Sequence, residues 1–485
     1  MKKITAIILS LILIFSLCGC SGSDSSAIIY YGAINCPKTL DPQTASSFIE
    51  LMIVRNIYEG LLREDTDGKI KLGIAESYTY NNSTYTFKLR DDAFWSNGEK
   101  VTANDFVFAM RRAINPKTES PNAQLLYCIK NAKKIHTSNT PVNALGVTAL
   151  NDLTLKIELQ ESDPDFLYVL TTAICMPCNE KFFNTTVGKY GMSLDTTISN
   201  GSYKLTKWNT EDFAMRILKN KDYTGDFIPE NSAVYFSANK EYNTLETLKK
   251  SSVDIAEITC EQTKIAQKDG FKTKSMQNKV LLLSLGNGYS RSLKQALHSS
   301  LLTVNDFENI NESYTFADSL LPDMFKGEYT NKVNVYSPTT AKKLYDAEIK
   351  KLDNRFPQST MIYCGDDTVT DILKLVAGHW QQNLGAYINI AQLESNSSVI
   401  YKSSLDKYHI AAYSFEINET NLDAYMDKLN ISNTKNLNVE NCYKYSNIIP
   451  IAYYGTVFAY DTRLTTIKFS DTNGFVDFST VIKDI

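Results

Sequence analysis

A mixed α/β (α+β) fold is what this chain predicts. Stretches with apolar residues at every second position alternate loosely with stretches whose apolar residues recur at three and four. The 485 residues exceed what one core serves, so two or three subdomains are expected. No internal repeat is visible. The stretch from Tyr85 to Arg112 shows both patterns side by side. Tyr85, Phe87 and Leu89 alternate with Thr86, Lys88 and Arg90, as in a half-buried strand. Asn97-Gly98 follows as a turn dipeptide, since both residues tolerate positive φ. Thr102 and Asp105 have capping-box spacing, with Asp in place of the usual Glu or Gln. They open a helix with Phe106, Val107, Met110 and Ala113 on one face.

In chain order, residues 27–33 read as a short apolar strand, and Pro42 then forces a turn. Residues 48–62 read as one helix, with Met52, Ile53, Asn56, Ile57 and Leu61 at helical spacing. Residues 66–69 make a hairpin turn, and Ala75-Glu76-Ser77 a connector. Asn115-Pro116 stops the helix that Thr102 opened, and another is expected over 123–132. Residues 147–159 form a hairpin around Asn151-Asp152, followed by a helix over 166–171. Further helices are expected over 243–250, 292–300, 341–352 and 369–384, the last ended by Gly385. Strands are expected at 203–205, 213–219, 253–256, 281–285, 361–363, 388–390, 410–415, 448–454 and 457–460.

Composition is that of a globular protein, 43% hydrophobic and 21% charged, with 29 Tyr and 22 Phe. A net charge of −4, without a large Lys/Arg cluster, argues against nucleic acid as partner. The N-terminus reads as a leader. Lys2 and Lys3 precede an apolar run to Leu17 that is too short for an ordinary spanning helix. It ends in Leu17-Cys18-Gly19-Cys20, followed by a Ser/Gly-rich tether, and the Leu-x-Gly-Cys pattern resembles the bacterial lipobox. Residues 1–19 would then be removed and Cys20 lipidated, holding the protein on the outer face of the cytoplasmic membrane by its acyl chains. The alternative is a plain secretory signal with incidental cysteines.

Seven further cysteines remain, an odd number that cannot all pair internally. Cys175 and Cys178 form a CxxC without a second CxxC or His pair at zinc-finger spacing. The pair reads as two buried free thiols, with a local disulfide as the alternative. His136, His298, His379 and His409 are scattered, and no nucleophile-elbow, zincin or P-loop motif occurs. The chain is therefore read as not an enzyme, with no cofactor and no metal. Trp95, Trp208 and Trp380 are expected in the core.

The order of several short motifs resembles the family 5 extracellular solute-binding proteins, the oligopeptide-binding lipoproteins that feed ABC importers. They run from Leu40-Asp41-Pro42 and Tyr58-Glu59-Gly60-Leu61 through Tyr85–Arg90, Trp95–Gly98 and Val101–Phe106. Leu145-Gly146-Val147, Ser199–Tyr203, Lys294–Leu297, Trp380–Gly385 and Pro450–Tyr454 continue the series. The resemblance implies a two-lobed clamshell of the periplasmic-binding-protein type (type II, cluster C). On it, lobe I comprises 28–255 and 440–485, with 56–195 as an extra subdomain, and lobe II comprises 256–440. Residues 20–27 are the tether.

The implied mechanism is capture of an oligopeptide by hinge closure and delivery to the permease subunits of an ABC importer, by a monomer. A peptide-signal sensor, or a binder of another solute on the same fold, is the alternative. The implied ligand contacts are Ser46, Ser47, Phe48, Asn122, Asn200, Tyr413, Phe415, Glu416 and Asn418. Departures matter here. Family members place an Asp, which takes the peptide's α-ammonium, where this chain has Asn418. An Arg of the family is Ala412 here, and a cleft Tyr is Asn122. A clamp for both free peptide termini is thus not expected, which points to a modified, internal or longer peptide.

Overall fold

The computed structural model describes residues 27–65, 67–209, 214–238, 244–277, 279–308, 310–319, 336–365, 367–394, 398–399, 407–416, 448–470 and 475–484. The first part of the chain supplies β1 (Ile28–Ala33), β2 (Leu62–Glu64), β3 (Ile70–Leu72), β4 (Ala75–Asn81) and β5 (Thr84–Leu89). Then come β6 (Val147–Asn151), β7 (Thr154–Glu158), β8 (Tyr203–Asn209), β9 (Ala214–Lys219), β10 (Ala233–Ala238) and β11 (Ile255–Ile258). The second half adds β12 (Lys272–Ser275), β13 (Lys279–Leu285), β14 (Thr315–Phe316) and β15 (Thr360–Tyr363). It ends with β16 (Asn389–Gln392), β17 (Ile410–Glu416), β18 (Ile448–Tyr454) and β19 (Val457–Tyr460).

Among the described residues these strands form two large mixed sheets. One runs β12-β19-β11-β1-β10-β9-β8, the other β14-β18-β13-β17-β15-β16. A four-stranded antiparallel sheet, β4-β5-β7-β6, and the ribbon β2-β3 complete the set. Tyr31, Phe236 and Phe458 bury one face of the first sheet in a core that also takes Phe87, Phe106 and Trp95. Leu281, Leu283, Val376 and Trp380 centre the second core. Trp95 and Trp380 are buried as expected, while Trp208 is half-buried.

The strand, turn and helix of the Tyr85 stretch form as their local chemistry dictates. The helix spans Ala103–Ile114, and the Asp105 carboxylate accepts from the Thr102 N–H at 2.7 Å and from the Trp95 Nε1–H at 3.3 Å. Burial pushes the Asp105 carboxyl up to about 6, against the pull of those bonds. Of the turn dipeptide, only Gly98 takes a positive φ, +86°.

Three expectations are corrected by the structure. The helix expected to reach residue 62 spans Phe48–Ile57. Gly201 donates its N–H to the Ile57 carbonyl at 2.9 Å, and the backbone turns extended at Tyr58. A Cβ on residue 201 would lie 2.8 Å from the Ile57 carbonyl carbon, so only glycine fits this approach. The helix expected over 123–132 is a 3-10 turn, Ala123–Leu126, and a separate helix, Ala132–Thr137, divided where Asn131 adopts φ +68°. The connector at Ala75 is the start of β4, an edge strand with six of its seven residues exposed, held by pairing with β5.

Candidate functional site

The chain passes between the two large sheets twice, from β12 into β13 and from β18 into β19. The passages are adjacent, since the Met276 N–H donates to the Thr456 carbonyl at 2.9 Å. Register shows which strand ends meet there. Ile258 and Ser275 both pair with Val457, so β11 ends, β12 ends and β19 begins at one edge. β1 and β10 are parallel to β11 and end on the same side. In the second sheet Lys279 pairs with Glu416 and Tyr454, so β13 begins where β17 and β18 end. β15 and β16 run parallel with β17 and point their carboxyl ends the same way, stopping level with Ala412. The carboxyl ends of the parallel strands of both sheets thus flank one pair of crossing segments. In open α/β sheets that is the position where ligands bind.

Side chains at this edge are polar and held. Glu257 of β11 is buried, accepts from the Tyr31 Oη–H at 2.6 Å and from the Ile34 N–H at 3.2 Å, and is raised in pKa chiefly by burial. Gln277, between the sheets, donates to Thr315 Oγ1 at 2.8 Å. Tyr454 hydrogen-bonds Ser414 and stacks on Tyr314 with centroids 4.7 Å apart.

The residues that the resemblance singled out fall in three places. Ser46, Ser47 and Phe48 sit at the start of the helix Phe48–Ile57, where the Ser46 and Ser47 N–H groups donate to the buried Glu50 carboxylate at 3.1 and 3.0 Å. The Phe48 ring packs on Phe458 and Phe475. Asn122 lies two residues beyond Ser120, whose hydroxyl donates to the Gln43 carbonyl at 2.6 Å. Asn200 lies at the other end of that helix, about 15 Å along its axis. Its amide is spent on the Glu59 backbone, accepting from N–H at 3.1 Å and donating to C=O at 2.9 Å. Tyr413 is on β17 in the second sheet, packed with Ile362, Val399 and Ala411, and burial raises its phenol. Phe415 and Glu416 are in the same strand, and Asn418 lies outside the described residues, as do Cys20, Cys442 and the leader.

The motifs that carried the resemblance tie together segments distant in sequence. Asp41 receives a two-pronged bond from Arg112, with Nη1–Oδ2 at 2.7 Å, and the same guanidinium bonds Gln43 and lies over the Phe183 ring. Leu40 donates to the carbonyl of Gly191, whose φ is +74° and whose Cα abuts the Asp41 backbone. The buried Glu59 carboxylate takes bonds from Arg90 at 3.2 Å and from Tyr223. Cys175 and Cys178 are buried and free, and burial pushes each thiol up to about 12, which leaves them unreactive. Among the described residues no group of three metal-capable side chains assembles, and no helix is long and apolar enough to cross a membrane.

Comparison with known proteins places this architecture. The family model of bacterial extracellular solute-binding proteins, family 5 (Middle), matches residues 69–439. The chain belongs to that family. Its members are substrate-binding proteins of transporters, not enzymes. The oligopeptide-binding protein OppA of Bacillus subtilis is 27% identical over 452 residues, 85% of this chain and 81% of that one. The periplasmic murein peptide-binding protein MppA of Escherichia coli is 37% identical over 172 residues, 35% of this chain and 32% of that one. Among solved structures, Listeria monocytogenes OppA bound to peptide has a TM-score of 0.73 at 18% identity, covering 95% of this chain and all of the other. The unliganded open form of the murein tripeptide-binding protein MppA gives 0.72 at 21%, with 95% and 98% covered. This family 5 member therefore has the two-domain fold of the periplasmic oligopeptide-binding proteins.

Sequence reasoning missed Glu257, Gln277 and Lys279, which carry no motif. Their only signal is position at the ends of short apolar runs, which becomes meaningful once the two passages are seen to be neighbours.

Proposed function

We propose that this protein is the lipid-anchored, extracytoplasmic binding component of an ABC importer, and that it captures oligopeptides between its lobes. The observation that carries the reading is the paired passage between sheets, at Ser275–Lys279 and Tyr454–Val457, with parallel strand ends of both sheets facing it. Two short strands can bend as a hinge while each sheet stays rigid. The lobes then divide at those passages, as 27–275 with 457–484 and 279–454, where the sequence reading drew the cuts at 255/256 and 440. Strand ends and loops of both lobes pair with peptide backbone, giving affinity that is tolerant of side chains. Membership of the family and the likeness to the peptide-binding proteins OppA and MppA support oligopeptides as the ligand class. The Leu-x-Gly-Cys20 motif supports a lipid anchor.

Asn418, neutral where the family resemblance implies an acid, supports a ligand whose amino terminus is not clamped by a charge. Protein produced without residues 1–20, purified and then denatured, is expected to release peptides identifiable by mass spectrometry. N-acetylated and free forms of a recovered peptide are expected to bind with similar affinity. Release of a non-peptide solute would overturn the ligand class, and a strict need for a free amino terminus would overturn the unclamped end.

A further inference from the structure

We propose that Lys279 is the cleft cation that receives a carboxylate of the bound peptide, an inference that rests on the peptide-binding reading above. Lys279 is the first residue of β13, directly beyond the passage between sheets, and its register partners are Glu416 and Tyr454. It is half-buried at the edge where the strand ends of both lobes meet. No ion pair or hydrogen bond to its ammonium is found among the described residues. Glu257 is close enough for its charge to be felt, but that carboxylate is already engaged by the Tyr31 hydroxyl and the Ile34 N–H.

Lysines that lose solvent are ordinarily paired, because desolvating an unmatched ammonium is costly. An ammonium that feels Glu257 only at a distance and has no direct bond among the described residues is open to a carboxylate that a ligand brings. Closure would remove the remaining water and strengthen the bond, since charge-assisted hydrogen bonds gain in a low-dielectric site. Lys279 sits at the start of the face that continues through Leu281, Leu283 and Leu285 into the second core. Its stem is thus anchored by a rigid strand rather than a loop, which lowers the cost of fixing the ammonium.

A peptide carries carboxylate at its C-terminus or on acidic side chains, and four synthetic pentapeptides separate these sources. They contain a central Gln or a central Glu, each with a free or an amidated C-terminus. Titration calorimetry is expected to show at least one carboxylate-bearing peptide binding about tenfold more tightly than the neutral amide. The arm that shows the gain identifies the carboxylate. K279M is expected to reduce that ratio to near unity while leaving affinity for the neutral amide little changed, and K279R to retain it. Thermal unfolding of both variants checks that the fold is intact. A ratio unchanged in K279M, or no preference in the wild type while neutral peptides bind, overturns the proposal alone. Failure of all four peptides to bind would overturn the peptide reading with it.

Discussion

Arg112→Ala is expected to lower the stability of the first lobe by about 3–5 kcal/mol, the cost of stranding one member of a buried ion pair. Arg112 and Asp41 have side-chain exposures of 10% and 6%, so little water can reach the carboxylate once its partner is gone. The same substitution removes the guanidinium from the Phe183 ring, 4.8 Å away, and from Gln43. Asp41 also begins the turn that seats Gln43, whose amide donates to the Met176 carbonyl at 2.9 Å, so the damage should spread toward 174–176. Urea unfolding followed by fluorescence measures the loss. Asp41→Asn combined with Arg112→Met removes both charges and should recover part of it, because no uncompensated ion then remains. An Arg112→Ala midpoint equal to wild type would show that the pair contributes nothing.

Trp380→Ala is expected to cost the second lobe about 3–5 kcal/mol, through a cavity at the centre of its core. Trp380 is fully buried, and its Nε1–H donates to the Leu297 carbonyl at 2.7 Å. That carbonyl is in the last turn of the helix Arg291–Ser299, where no residue of the helix can satisfy it. The indole therefore fills space and closes a helix end together. Trp380→Phe should retain most of the packing and lose the bond, for a smaller drop of about 1–2 kcal/mol. Denaturant titration of the two variants separates the contributions, and equal losses would show that the hydrogen bond dominates.

Where the sequence was legible, the determining interactions were short-range. The cap of the helix Ala103–Ile114 is made within four residues, and Gly385 ends the helix Asp367–Leu384 at φ +83° as its position suggests. Where it was not, the deciding partner was remote. The end of the helix at Ile57 is set by Gly201 and Asn200, and nothing near residue 57 announces it. β4 carries only a short alternation, Tyr78 and Tyr80 packing on Tyr85 and Phe87, and is an exposed edge strand held by pairing with β5. The same contrast governs the candidate site. Family motifs such as Leu40-Asp41-Pro42 and Ser199-Asn200-Gly201 were conspicuous, yet their side chains are spent on scaffold bonds. Lys279 looked like a solvated strand end in the sequence. Only the register of β13 with β17 and β18 places it beside the passage between the two large sheets.

As proposed, the paired passages form a hinge that closes on a peptide. Small-angle X-ray scattering on the soluble protein, with and without a saturating mixture of short peptides, tests it most directly. The radius of gyration is expected to fall as peptide is added and to follow the binding curve. A radius unchanged at full occupancy would contradict it.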